Sequence, residues 1–262
     1  SELIMQKLRL KKVVLSFLLF FLYSLFLIHV TKAESESFKS AKQFLQEGVR
    51  TYDTKQIQEA KDIFVEHADK NSADYESAYY AALSYLGLCD VKNFEMRKSR
   101  NKAEMKVRKK ERVKLAEEGL LYADRSIELK KDFSESHRVK GALLSNKISG
   151  MLSGMRNGKL AEQEIMSALR IDNNNIMAQI ENARMFINKP RLLGGDTKKG
   201  IEILNSIIKE FPELETGYLN LGITYYENGE EELAAKTFKK LLEINADNPE
   251  AKYFVNHLIV LE

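Results

Sequence analysis

Histidine and cysteine, the side chains that most often bind metals or act as nucleophiles, are scarce and scattered in this chain. The histidines are His29, His67, His137 and His257, and the single cysteine is Cys89. No two histidines lie three or four residues apart, the spacing that would place two metal ligands on one helix face. We therefore predict neither a metal site nor a cofactor.

The sequence also lacks the common motifs of catalysis. It contains no Gly-x-Ser-x-Gly nucleophile elbow and no phosphate-binding glycine loop. Cys89 lies in an apolar helical run beside Leu86 and Leu88, which favours a small core side chain over a reactive thiol. A single cysteine also excludes an intramolecular disulfide. These features predict a protein that is not an enzyme.

The densest charge lies in the segment 90–115, where eleven basic and four acidic residues occur between Asp90 and Lys114. A basic surface of this kind could contact anionic lipid headgroups, polyanionic envelope polymers or an acidic partner. The alternative is a solvated helical extension that pairs with the acidic remainder of the chain. The charges are not interleaved with a series of aromatic side chains, which argues against nucleic acid. The candidate residues, here called the basic arm, are Arg97, Lys98, Arg100, Lys106, Arg108, Lys109, Lys110 and Arg112.

The overall composition predicts that helices carry these side chains. The 262 residues include no Trp and only three Pro, and they are rich in Ala, Leu, Glu and Lys. The formal net charge is +3. However, residues 1–33 hold five basic residues and one acidic residue, which leaves 36 basic and 37 acidic residues in the remainder. This nearly neutral remainder gives no reason to expect nucleic-acid binding.

An apolar run near the start of the chain predicts export. Four basic residues precede the apolar run Val13–Val30, and Thr31 and Ala33 place small residues where signal peptidase requires them. We expect residues 1–33 to be a cleaved signal peptide. An uncleaved N-terminal membrane anchor is the alternative, because eighteen apolar residues can just span a bilayer. In both cases the remainder would be exported to the periplasm, since the positive flank stays in the cytoplasm.

A 34-residue period organises the rest of the chain. Counted from Glu215, large residues fall at positions 4, 7, 11 and 24, small residues at 8 and 20, and glycine at 15. Large residues at these positions fill the interface between two helices, and small ones let the backbones approach closely. The residues concerned are Tyr218, Leu221, Gly222, Tyr225, Gly229, Ala234 and Phe238. This pattern resembles the tetratricopeptide-repeat (TPR) family.

The same register predicts five helix-pair units within residues 34–262. The units are 41–74, 75–133 with the basic insertion 90–115, 134–175, 176–214 and 215–248, followed by a capping helix at 249–262. In the first unit, Phe44 and Phe64 take the large positions 4 and 24. The insertion should form either a projecting hairpin or one long helix. Because a helix pair cannot bury its own apolar face, we expect an all-α superhelix of stacked pairs.

Residues 145–196 are similar to exported bacterial TPR proteins that have a glycine-rich helix followed by a Pro…Gly-Gly-Asp loop. The T-component of tripartite TRAP-type transporters has a similar loop, which implies a periplasmic accessory protein. In the loop of this chain, Asp196 should cap the helix that begins at Thr197. Gly150, Gly154 and Gly158 recur every four residues, and we expect their helix face to contact a neighbouring helix closely; membrane dimerisation is the alternative.

The TPR resemblance also implies a concave groove lined by the first helix of each unit. The residues assigned to this groove are Tyr52, Tyr79, Leu83, Arg138, Ile180, Arg184, Leu219, Asn220, Ile223 and Tyr226. Leu45 and Val49 stand where the family's chaperone-tail clamp requires Lys and Asn, so that clamp is not expected. An apolar, tyrosine-bearing groove suits an amphipathic helix, an acidic-apolar peptide or a hydrophobic small molecule. Filling of the groove by tight superhelical winding or by the N-terminal segment is the alternative.

Together these patterns predict an exported, non-enzymatic scaffold that binds a protein or peptide partner in the cell envelope. Two alternatives stay open at the level of sequence. One is a periplasmic accessory component of a transporter that binds a small molecule, and the other is an architectural subunit of an envelope assembly.

Overall fold

The computed structural model describes residues 36–259, and every regular element within that range is helical. The predicted signal peptide or anchor lies outside the described residues. A short 3₁₀ helix, Arg191–Leu193, precedes α8. None of the described helices is long and apolar enough to cross a membrane. The α-helices are α1 (36–51), α2 (Thr54–Lys70), α3 (Tyr75–Arg97), α4 (Lys102–Leu129), α5 (Ser134–Asn146), α6 (Met151–Ile171), α7 (Ile176–Asn188), α8 (Thr197–Glu210), α9 (Glu215–Glu227), α10 (Glu231–Ile244) and α11 (Pro249–Ile259).

The helices form five consecutive pairs, α1/α2 to α9/α10, and α11 packs against α10 at the end of the stack. Short polar side chains begin several of them: Asp53, Asp74 and Asn175 each accept a hydrogen bond from a backbone N–H in the first turn. The expected all-α superhelix of five helix pairs with a C-terminal capping helix is therefore confirmed.

Small residues at the crossing points of the pairs allow close packing. A Cβ atom at Gly222 would lie 2.7 Å from a ring carbon of Phe238, and one at Gly141 would lie 2.6 Å from the Cδ1 atom of Ile165. Gly222 and Gly141 stand at position 8 of their units, opposite the large residue at position 24. The register predicted from the sequence thus corresponds to direct contacts between the two helices of a pair.

The basic insertion is a helical hairpin. Helices α3 and α4 are 23 and 28 residues long, whereas α5 and α9 each have 13. Residues 98–101 form the turn between α3 and α4. The hairpin alternative is correct and the single long helix is wrong, because Asn101 starts a new helix by accepting a hydrogen bond from the Glu104 N–H.

Two packing expectations are wrong. No side chain or backbone from another part of the described chain lies within 4 Å of a Cβ built at Gly150 or Gly158, and Gly154 meets only a methyl group of Ile148, at 3.6 Å. The start of α6 therefore extends past its neighbours, and its glycine face is open. Phe44, which was expected to fill the interface of the first pair, is 41% exposed, whereas the next residue, Leu45, is buried.

The two ends of the superhelix touch. Tyr52, which follows α1 in a left-handed conformation (φ 57°), donates a hydrogen bond to the Glu250 carboxylate of α11 at 2.8 Å. The Arg97 Nε atom of α3 donates to the other oxygen of Glu250 at 2.6 Å. Arg50 pairs with Glu215 of α9 at 3.0 Å. We call these five residues the clasp, and they turn the open superhelix into a closed one.

Candidate functional site

Three of the ten predicted groove residues are buried in the described structure. Ile180 is fully buried, Arg138 is 4% exposed and Tyr79 is 9% exposed. At these three positions the alternative of a groove filled by tight winding describes the structure better than an open groove does.

A polar network replaces part of the groove. Glu135 accepts hydrogen bonds from Tyr79 Oη at 3.1 Å, from Arg138 Nε at 2.9 Å and from Asn175 Nδ2 at 2.7 Å. Although burial opposes ionisation of Glu135, the Arg138 guanidinium and these donors hold the pKa of Glu135 below its usual value. Burial is the main reason that the pKa of Tyr79 is raised. The network is a permanently charged part of the interior, formed by α3, α5 and the turn before α7.

A second polar cluster lies beside the clasp. Arg184 pairs with Glu181 at 3.0 Å and lies within electrostatic reach of Asp90 and Tyr52. Asp90 is half-buried and makes no hydrogen bond or ion pair to another described residue. Burial raises the pKa of Asp90 to about 6, and Arg184 only partly offsets that effect. Tyr52, Asp90 and Arg184 all retain some solvent contact.

The other predicted groove residues pack in different parts of the molecule. Leu83 packs between the cores of the first two pairs, and Leu219 and Ile223 pack against the core formed by α9, α10 and α11. The Asn220 side chain donates to the Thr216 carbonyl at 2.8 Å. Tyr226 is 38% exposed and its ring lies 4.6 Å from that of Phe254. The structure does not bring these residues together on one open surface.

An open cleft lies instead on the outer side of the second and third pairs. It measures about 630 Å³ and is bounded by α4 and α6, with α5 as its floor. Helix α6 presents Leu152 to it, and this side chain remains 81% exposed. We call this surface the α4–α6 cleft. Its apolar lining residues are Val113, Leu120, Leu144, Leu152 and Leu160.

Ion pairs neutralise most of the charge within the cleft. Lys140 pairs with Asp124 at 3.0 Å and with Glu164 at 2.7 Å, and Lys147 pairs with Glu117 at 3.2 Å. On α6, Arg156 lines the cleft without an ion-pair partner among the described residues, and Lys159, three residues further along, is likewise exposed and unpaired. The cleft therefore combines apolar lining residues from all three helices with a positively charged edge on α6.

Sequence reasoning missed the α4–α6 cleft. The available signal was Leu152, which lies among the three glycines whose helix face we expected to contact a neighbouring helix. Large apolar side chains and glycines at one helix start fit either a buried or an exposed face. Only the position of neighbouring helices decides whether such a face is buried or exposed.

The basic arm divides into two sets. Four of its residues are held by internal contacts. Arg97 pairs with Glu250, and Lys98 lies 4.9 Å from the centre of the Phe94 ring. Arg108 pairs with Glu95 at 3.2 Å, and Arg112 donates to the Ile148 carbonyl at 2.6 Å. The side chains of the other four, Arg100, Lys106, Lys109 and Lys110, have no ion-pair partner in the described chain, and Lys102 beside them has none either.

The Gly-Gly-Asp loop has structural roles. Gly194 has a φ of +90°, which favours glycine, and a Cβ at Gly195 would lie 1.7 Å from the Lys189 carbonyl oxygen. Asp196 accepts a hydrogen bond from the Lys199 N–H at 3.0 Å, as expected for the N-cap of α8. Over residues 36–259, no group of three or more His, Cys, Asp or Glu side chains is placed to hold a metal ion.

Comparison with known proteins places the fold. Residues 217–248 match the family model described as tetratricopeptide repeat, and no curated protein sequence matches the chain. Among solved structures, TTC0263, a thermophilic TPR protein of Thermus thermophilus, is 14% identical and has a TM-score of 0.60, with 84% of this chain and 99% of that chain covered.

Two further structures are similar at lower scores. Residues 41 to the end of MamA from Desulfovibrio magneticus RS-1 are 17% identical, with a TM-score of 0.42 over 81% of this chain and 97% of that one. Yeast Tom70 is 17% identical, with a TM-score of 0.44 over 84% of this chain and 49% of that one. Of the three, TTC0263 alone exceeds a TM-score of 0.5, and at 14% identity it shows the fold. One repeat of the chain therefore matches the tetratricopeptide-repeat model in sequence, and the described residues share with TTC0263 the fold of stacked helix pairs.

Proposed function

We propose that the protein is an exported, non-enzymatic adaptor that binds a protein partner in the α4–α6 cleft. The observation that carries this proposal is the exposure of Leu152, which is 81% exposed and lines the cleft together with four other apolar residues. Exposed apolar groups of this size, surrounded by polar residues, are typical of interaction sites. Stacked helix repeats, moreover, commonly act through extended binding surfaces.

The partner that fits this cleft is a helix with one apolar face and acidic flanking residues. The apolar residues that line the cleft would receive the side chains of the helix at positions i, i+3 and i+4. Arg156 and Lys159, unpaired along the α6 edge, would face the acidic flank.

Substitutions in the cleft test the proposal. We expect the double variant Leu152→Glu/Met155→Glu to lose a partner that wild type retains after cross-linking in cells. A synthetic peptide of the partner's acidic amphipathic helix should bind the variant at least about tenfold more weakly than wild type in calorimetry. The control, Leu121→Glu/Leu233→Glu, changes two other exposed leucines and should bind like wild type. Equal peptide affinity for all three proteins would contradict the proposal.

Export is tested separately on the full chain. After expression in a bacterium and cell fractionation, N-terminal sequencing should give a mature protein that starts at Glu34 in the periplasmic fraction. An intact N-terminus in the inner-membrane fraction would support the anchor alternative. Recovery of intact protein in the cytoplasm would contradict export while leaving the cleft experiment valid.

A further inference from the structure

The unpaired cations of the hairpin form a compact group, here called the arm tip: Arg100, Lys102, Lys106, Lys109 and Lys110. Arg100 lies in the turn between α3 and α4, and the four lysines lie in the first three turns of α4. Lys109 is half-buried and the others are exposed. None of the five side chains has an ion-pair partner in the described part of the chain, although the remainder of the mature protein is rich in carboxylates.

The four lysines share one face of α4. Their spacing of four, three and one residues keeps them within one side of a helix with 3.6 residues per turn. Glu111 lies on the opposite side, where it pairs with Lys92 of α3 at 3.1 Å. The lysine face is therefore directed away from α3, and with a rise of 1.5 Å per residue it is about 12 Å long.

The base of the hairpin is held in place. Arg108 bridges Glu95 of α3 and Glu111 of α4, both at 3.2 Å. Arg112 donates to Asn93 at 2.9 Å and to the Ile148 carbonyl at 2.6 Å. These contacts join α3, α4 and the turn between α5 and α6, so the arm tip projects from a rigid support.

Two apolar side chains flank the lysine face of α4, one on each side of it. Met105 is 43% exposed and Val107 is 55% exposed. An exposed helix with cations along one face and apolar side chains at its edges suits the boundary of a bilayer, where the cations meet headgroup phosphates and the apolar groups enter the acyl region.

From this arrangement we propose that the arm tip docks the protein onto an anionic lipid bilayer. Charge complementarity favours a polyanion. The apolar residues then favour a membrane over nucleic acid, because stacking on bases requires aromatic side chains. The aromatic ring nearest along the chain, that of Phe94, lies under Lys98 and is engaged in the hairpin. Docking uses a surface separate from the α4–α6 cleft and does not depend on the proposed partner.

Vesicle binding by the full chain tests the docking. Because the apolar segment 13–30 could itself bind lipid, the quantity to measure is the difference between vesicles of phosphatidylcholine alone and vesicles with about 30% phosphatidylglycerol. We expect wild type to bind the anionic vesicles at least about tenfold more tightly, with a preference that declines as salt increases. No preference for anionic vesicles would overturn the proposal.

A matched pair of variants tests whether the arm tip causes the preference for anionic vesicles. The arm variant is Lys102→Glu/Lys106→Glu/Lys109→Glu/Lys110→Glu, and it should lose the preference. The control variant, Lys198→Glu/Lys209→Glu/Lys236→Glu/Lys239→Glu, alters net charge equally through four exposed lysines that have no ion-pair partner in the described chain, and it should retain the preference. Equal losses in both variants would show a general effect of net charge and would overturn the arm tip as the site.

A third variant distinguishes a bilayer from other polyanions. Met105→Ser/Val107→Ser keeps all charges, so it should weaken binding to anionic vesicles about threefold and leave binding to duplex DNA and to polyglutamate unchanged. Tighter binding of either soluble polyanion than of vesicles at the same salt would overturn the choice of a membrane. Leu152→Glu/Met155→Glu should bind vesicles like wild type, which separates this result from that of the partner experiment.

Discussion

Asp90 is the residue in which charge and burial conflict most clearly. Its carboxylate lacks a hydrogen-bond partner among the described residues, and its pKa is raised from 3.8 to about 6, mainly by burial. A carboxyl with a higher pKa in the folded state binds its proton more tightly there than in the unfolded state. Folding stability therefore falls as pH rises from about 4 to about 6, and the full cost is present above that range.

Asp90→Asn should remove this cost. At pH 7.5 we expect the free energy of unfolding to rise by on the order of 1–3 kcal/mol, and at pH 4 by much less, because wild-type Asp90 is then protonated in the folded protein. Urea unfolding at both pH values measures the difference. Asp132→Asn, at an exposed site, serves as the control. A gain from Asp90→Asn that is equal at both pH values would contradict the explanation.

At the scale of elements, the same residue type has opposite roles in neighbouring helices. Gly141 of α5 faces Ile165 so closely that a Cβ would lie 2.6 Å from its Cδ1 atom, whereas Gly158 of α6 faces open space. The first glycine is required by the crossing of two helices. The second only increases the conformational freedom of the unfolded chain, since glycine stabilises a helix interior less than alanine does.

Alanine substitutions at these two glycines should therefore change the stability of the protein in opposite directions. We expect Gly158→Ala to stabilise the protein by about 0.5–1 kcal/mol and Gly141→Ala to destabilise it by about 1–3 kcal/mol through overpacking. Thermal and urea unfolding of both variants check the signs. If Gly158→Ala were destabilising, the start of α6 would have to be covered by another part of the chain or by a second copy.

At the scale of the whole molecule, the clasp decides whether the superhelix is open or closed. Tyr52 and Glu250 are 198 positions apart in sequence and Arg50 and Glu215 are 165 apart, yet both pairs are in contact. Glu250 is fully buried, so loss of one partner leaves a buried charge less well satisfied.

A double-mutant cycle measures the coupling energy between the two ends of the superhelix. For Tyr52→Phe combined with Glu250→Gln, we expect a coupling energy of about 0.5–3 kcal/mol, because the two side chains share a hydrogen bond. The control cycle pairs Tyr52→Phe with Glu202→Gln, an exposed carboxylate of α8, and should show additive effects. Additivity in the first cycle would indicate that the ends of the superhelix separate in solution.

Local structure could be read from the residues alone. The 34-residue register, the aspartates and asparagines that cap helices, and the paired positions of Gly222 and Phe238 are all short-range features. Each depends on residues in the same unit, and one repeat provides enough information to recognise them. The sequence also showed that catalytic and metal-binding motifs are scarce. For the segment 90–115 it predicted a hairpin as one of two alternatives.

Which surfaces are open depends on the tertiary structure. Small rotations between successive helix pairs add up along the stack, and no periodic pattern in the sequence records their sum. They bury Ile180 and Arg138, bring Tyr52 to Glu250, and leave Leu152 exposed beside an open cleft. The predicted glycine contact on α6 was wrong for this reason, and three of the predicted groove residues are buried for the same reason, since whether a face is covered depends on helices that are distant in sequence.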